Sequence, residues 1–164
     1  MKGKFINNTW FRLFVKLFIT AGIIFLVLQF IIGIHVYYGN NMYPKIEDGS
    51  LCIINKWDKN YYSELVVAYK YNNQTKLGRI IGQPGDRIII NDNGHVLVND
   101  NILMEKVFYN TLPSDIEYPY VVPENQYFIL NDYREDLTDS RTFGAIQKED
   151  IIGQIYLIIQ RRGF

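Results

Sequence analysis

Two hydrophobic regimes follow one another along the chain. Residues 17–34, LFITAGIIFLVLQFIIGI, run eighteen positions without a formal charge, and the stretch reaches 22 when carried back to Leu13 across Lys16. The long stem of Lys16 lets its charge sit at an interface. At about 1.5 Å per residue, a helix of this length roughly matches a hydrocarbon layer of about 30 Å. From residue 35 the pattern changes to short β-branched and aromatic runs: LCIINKW (51–57), ELVVAYKY (64–71), KLGRIIG (76–82), RIIINDNGHVLVN (87–99), YFILN (127–131) and IIGQIYLII (151–159). Turn-forming clusters (NNQ, QPGD, DNG, NDN) separate them, which is how strands alternate with tight connections. RIIINDNGHVLVN predicts a hairpin, with Asn93-Gly94 supplying positive φ at its turn. No amphipathic helical stretch interrupts the series, so the predicted domain is mainly β and antiparallel, not doubly wound.

The flanks orient the apolar segment. Lys2, Lys4, Arg12 and Lys16 lie before residue 17 and no basic residue follows closely. The positive-inside rule then predicts a cytoplasmic tail (1–12), a transmembrane helix (13–34) and an extracellular domain (35–164) on a plasma membrane. Trp10, Phe11 and Phe14 suit the inner interface, Tyr37 and Tyr38 the outer one. A cleaved signal peptide would need a shorter apolar core and small residues after it; HVYYGN, which follows here, is bulky.

Composition narrows the classes. The chain has 164 residues, 48% of them apolar, enough for one compact domain and an appendage. Residues 1–46 hold five of the 17 basic residues and no acid; the other 12, set against 17 acidic residues, leave the remainder at −5. That balance gives no reason to expect nucleic acid as a partner. The lone Cys52 rules out an internal disulfide and sits in an apolar run, as a small strand residue would. His35 and His95 have no companion at ligand spacing, so neither metal nor cofactor is expected.

The candidate chemistry lies in four stretches, in order: the apolar segment followed by NNMYPKIEDGSLCIINK; then GRIIGQPGDRIIINDNGHVLVN; then NDYREDLTDSRTFGAI; and last IIGQI. Together, over about residues 30–160, they resemble type I signal peptidase, the membrane-bound Ser/Lys endopeptidase that trims signal peptides from exported proteins. The resemblance implies a coiled antiparallel β-sheet domain on the outer membrane face, in the short Gram-positive form without a large cap.

Carried over position by position, the resemblance is that of a frame without its reactive groups. The family's nucleophilic serine precedes Met-x-Pro; here Asn41 precedes Met42 and Pro44. Its general-base lysine precedes the Arg-x-x-Gly-x-Pro-Gly-Asp motif; here Gly78 precedes Arg79, Gly82, Pro84, Gly85 and Asp86. The serine that orients the lysine aligns with Leu137. Asp132, Asp139, Ser140, Arg141 and Gly144 are kept. An amide is a poor nucleophile and glycine offers no base, whereas activated-nucleophile catalysis needs both within hydrogen-bond reach. Lys76, on the same strand face as Gly78, is one substitute base if it bends inward, and otherwise a solvated loop-edge charge. Ser50, Thr138, Ser140 and Thr142 are the neighbouring hydroxyls, each otherwise a turn or sheet hydrogen-bonder.

In the active family, substrate adds as a strand beside the segments bearing the serine and the lysine, a form of β-augmentation. Residues 36–42 and 76–80, among them Tyr38, Leu77 and Ile80, would line that groove here. The pattern is most like the catalytically degenerate signal-peptidase-like proteins that serve surface-pilus assembly in Gram-positive bacteria. The expected partners are pilin subunits, a sortase, or peptide segments of exported proteins. An active peptidase with rewired residues, and a decaying or regulatory paralogue that associates with an active signal peptidase, are the alternatives.

Overall fold

The computed structural model describes residues 9–104 and 109–160. Helix α1 (Thr9–Ile31) is exposed along its described length and is long and apolar enough to cross a membrane. It stops three residues short of the expected boundary. Ile32–Val36 form strand β1, in register with β2 (Leu51–Asn55) from Ile32 opposite Asn55 to Val36 opposite Leu51. The IIGIHV stretch reads as a continuation of the greasy helix, but its β-branched residues pair with β2. The end of β2 also closes the helix. The Lys56 amide donates to the Ile31 carbonyl at 2.9 Å and its Nζ to the Gln29 carbonyl at 3.4 Å, partners that the last helical turn otherwise lacks. Lys2 and Lys4 lie outside the described residues.

Nine more strands follow among the described residues: β3 (Val66–Tyr71), β4 (Gln74–Gly82), β5 (Arg87–Ile90), β6 (Val96–Val98), β7 (Asn101–Ile102), β8 (Tyr120–Val121), β9 (Gln126–Leu130), β10 (Ile146–Gln147) and β11 (Ile151–Ile159). A seven-stranded sheet runs β1-β2-β11-β3-β4-β9-β10 and a four-stranded one β7-β6-β5-β8. Every pairing is antiparallel, as the alternation of short apolar runs and turns predicts. β11 comes last in the chain yet lies inside the larger sheet, with bulges on both of its borders.

Both faces of the larger sheet are covered. Along β3, Val66 and Ala68 join Tyr37, Met42, Cys52 and Leu77 in one core, while Val67 and Tyr69 join Ile80, Ile129 and Ile151 in another. Cys52 is fully buried there, and burial pushes its thiol up. The β5–β6 hairpin forms, but only Gly94 takes positive φ (80°); its amide donates back to the Asn91 carbonyl at 3.0 Å, so the turn spans four residues. Consecutive left-handed residues stand instead at Asn72-Asn73 between β3 and β4, and at Asn99-Asp100 between β6 and β7. Such a pair matches the twist of a tight hairpin. Helix α2 (Ser140–Phe143) is a single turn, capped by the Asp139 side chain.

Candidate functional site

The loop after β1 carries the ladder one step further: the Tyr37 amide donates to the Ser50 carbonyl at 2.9 Å, and Gly49 donates to the Tyr37 carbonyl at 2.8 Å. The chain then turns, held by the Gly39 amide on Asp48 (2.8 Å) and by Tyr43 on the Asn40 carbonyl (3.0 Å). This drives Met42 fully into the core and leaves Asn41 half-buried beside it. Tyr37 is 3% exposed, not a residue of the outer membrane interface. Its side chain folds back so that the hydroxyl accepts from the Met42 amide at 3.1 Å and donates to Asn41 Oδ1. Burial pushes the phenol up to about 12, so it keeps its proton at neutral pH. Tyr38, by contrast, is 77% exposed.

Asn41 joins three segments. Oδ1 takes the Tyr37 hydroxyl. Nδ2 donates to the Leu77 main-chain carbonyl at 3.0 Å and to Asn131 Oδ1 at 2.7 Å. Its carbonyl accepts from the Tyr133 amide at 3.0 Å. Asn131 extends the network: its amide donates to Asp139 Oδ2 (3.0 Å) and its Nδ2 to the Asp136 carbonyl (3.1 Å). Asp139 in turn holds Arg141 through a buried ion pair at 2.7 Å, while the Arg141 guanidinium also reaches the carbonyls of Arg134 and Asp136. Buried charges of this kind are tolerated only when paired and hydrogen-bonded. Arg79 makes a two-pronged bond to Asp132 (2.7 and 2.5 Å) and a third to the Glu64 carbonyl (2.7 Å), tying β4 to the loop after β9. Asp86 caps the Gln83–Asp86 turn through Gln83 N (2.7 Å), and Ser140 Oγ accepts from Ile129 N (2.9 Å).

Gly78 has no space above it. A Cβ there would lie 2.4 Å from Ile129 Cγ2, 3.3 Å from Tyr69 Cε1 and 3.4 Å from the Leu130 carbonyl. Ile129 and Tyr69 are both fully buried. The Tyr69 hydroxyl has no hydrogen-bond partner, and burial holds its phenol well above the ordinary range.

Lys76 does not turn toward Gly78. Its Nζ stands 5.5 Å from the centre of the Tyr71 ring and 6.0 Å from that of Phe143, two rings stacked 4.0 Å apart. It is a half-buried cation on aromatic faces, not a solvated loop-edge charge. Leu137 is 41% exposed. The neighbouring hydroxyls serve local structure: Thr138 bonds Asp136 Oδ1 at 2.7 Å, and Thr142 donates to the Leu137 carbonyl at 2.7 Å. Ser50 is fully buried and its hydroxyl has no partner.

Tyr37, Tyr69, Ile129 and Asp136 escape a reading of the sequence motifs. Tyr37 lies next to the apolar segment, Tyr69 and Ile129 act across strands that only the fold brings together, and Asp136, inside the NDYREDLTDSRTFGAI stretch, serves Asn131 and Arg141 through its main-chain carbonyl, which residue identity does not show.

The chain matches the family described as signal peptidase, peptidase S26, over residues 10–160. A Staphylococcus aureus protein named inactive signal peptidase IA is 29% identical over 154 residues, covering 87% of each chain. Signal peptidase IB of the same species is 29% identical over 153 residues, covering 81% of this chain and 80% of that one. A signal peptidase I of Enterococcus faecalis superposes with a TM-score of 0.49 at 24% identity, over 58% of this chain and 97% of that one. With a match that takes in the helix, both sheets and the Asn41 network, the chain belongs to the signal peptidase family, peptidase S26.

Proposed function

We propose that this protein is a membrane-anchored, catalytically silent signal-peptidase scaffold that binds an extended segment of a partner protein. In this reading it acts in surface-pilus assembly alongside pilin and sortase, with its N-terminus in the cytoplasm and its β domain outside. The observation that carries the silence is the Asn41 side chain. In the position that resemblance gives to the nucleophile, a carboxamide is spent on hydrogen bonds to Tyr37, Leu77 and Asn131. At the base position, Gly78 has its side-chain space filled by Ile129 and Tyr69. Relatives that carry the name inactive signal peptidase IA support the same conclusion.

The binding part of the reading rests on β4. Hydrogen-bonding direction alternates along an antiparallel strand. Ile80 exchanges its bonds with residues 64 and 65 on the β3 side, so Leu77 turns its carbonyl the other way. On that side β9 pairs only with Arg79 through Gly82 and ends at Leu130. The edge beyond it, beside Asn41, is where a peptide strand would add. The pilus role rests on the likeness to degenerate family members that serve pilin polymerisation.

A peptidase with rewired residues needs a hydroxyl beside a base. Among the described residues, Lys76 lies on aromatic rings, and three of the four candidate hydroxyls are engaged locally. The test of the role is genetic. Deleting the gene should abolish the high-molecular-weight ladder of cell-wall pilin polymers, and the full-length chain should restore it. A full ladder in the deletion strain contradicts the role.

A further inference from the structure

The open edge of β4 is not bare. Its Leu77 carbonyl, the acceptor nearest the end of β9, is already occupied by the Asn41 carboxamide at 3.0 Å. We propose that Asn41 is a built-in competitor for peptide: it caps the acceptor that an incoming strand would use, and a peptide amide bonds that carbonyl only by displacing it. This rests on the reading of that edge as a peptide site.

Three features make the contact displaceable and not merely a strut. Asn41 is half-buried, so solvent and a ligand can reach it. Its Nδ2 has a second acceptor, Asn131 Oδ1 at 2.7 Å, and its Oδ1 keeps the Tyr37 hydroxyl. Releasing Leu77 therefore leaves neither end of the carboxamide unpaired, and no polar atom pays a full desolvation cost. The exchange also conserves bonds: a backbone N–H of the peptide takes the place of a side-chain N–H on the same carbonyl. The first hydrogen bond of strand addition then contributes little, and affinity must come from further ladder bonds and side-chain contacts. The chemistry defines the occupant. It is an extended polypeptide long enough to pair beyond Leu77, and the residue meeting that carbonyl is not proline, which has no amide hydrogen.

The test uses the full chain in lipid nanodiscs and a fluorescein-labelled octapeptide alternating valine and threonine, read by fluorescence anisotropy. A second probe set carries one N-methyl group at each amide in turn. Asn41→Ala removes the cap. Asn41→Asp keeps the side-chain shape and the acceptor for Tyr37 but loses both Nδ2 donors. Both should tighten binding about three- to tenfold, the worth of one net hydrogen bond. N-methylation at a single amide should erase that gain while changing wild-type binding little. If wild type binds and neither variant binds more tightly, the cap is refuted and the groove stands. If no form binds any probe, the groove reading falls and the cap with it. If both variants fail to fold, Asn41 is a strut and the proposal is overturned.

Discussion

Gly78 and Ile129 face each other across β4 and β9 so closely that a Cβ on Gly78 would stand 2.4 Å from Ile129 Cγ2. That methyl is attached to a β-branched carbon, which is stiff at χ1, on a fully buried residue. It cannot swing aside at little cost. Gly78→Ala should therefore destabilise the chain by about 1–3 kcal/mol through overpacking. The same change made in an Ile129→Ala background should cost clearly less. A double-mutant cycle on chemical denaturation measures the coupling; additive costs would show that Ile129 is not the obstruction.

The same obstruction bears on attempts to rebuild an enzyme. Asn41→Ser with Gly78→Lys should yield no measurable peptidase. The lysine stem meets Ile129 and Tyr69, and Leu137, at the position that the family resemblance gives to the orienting serine, offers no hydroxyl. Robust cleavage by the double variant would mean that the frame alone suffices.

Tyr69 carries a buried hydroxyl without a partner. Removing it removes an unmet desolvation cost, so Tyr69→Phe should stabilise the protein by about 1 kcal/mol. A fall in the denaturation midpoint would mean that the hydroxyl is satisfied in solution.

Much of this architecture is legible in the sequence, and the gaps have physical causes. β11 coincides with the run IIGQIYLII, a bounded β-branched and aromatic run that marks a strand even though its buried residues lie only in its first half. β1 is missed because Ile32–Val36 is as greasy as the helix before it, and only pairing with Leu51–Asn55 makes it a strand. β7, β8 and β10 have two residues each, too short for any period to show. At the site, the resemblance to the signal peptidase family singles out Asn41 and Gly78. That Tyr37 turns inward to Asn41, and that Tyr69 fills the space above Gly78, depends on contacts between strands.

Alkaline pH offers an independent check on the buried phenols. Burial raises Tyr37 and Tyr61 to about 12, against about 10 in an unfolded chain. Below about pH 10 both states hold the proton and stability is full. Between about 10 and 12 only the unfolded state loses it, so each group removes about 1.4 kcal/mol per pH unit. Denaturation midpoints measured at pH 9 and 11 should show this loss, and Tyr61→Phe should lessen it. An unchanged slope in Tyr61→Phe would show that this phenol ionises normally.

Asp139 and Arg141 are both fully buried, whereas the Arg87–Asp100 pair lies at the surface. Asp139→Asn should cost about 3–5 kcal/mol by leaving a buried guanidinium without its counter-charge. Asp100→Asn should cost less than about 1 kcal/mol. Thermal unfolding of the two variants separates these values; equal losses would deny the special place of the buried pair.

The most direct measurement is cleavage of a fluorogenic signal-peptide substrate by the full-length chain in detergent micelles, beside signal peptidase IB of Staphylococcus aureus. If, as proposed, Asn41 and Gly78 stand where the nucleophile and the base would be, turnover should lie about 10⁶-fold or more below that enzyme. Turnover within about 10³-fold of it, far above the ~10³-fold over water that an oxyanion pocket and binding alone supply, and abolished by Lys76→Ala, would contradict the silent-scaffold account and identify a rewired peptidase.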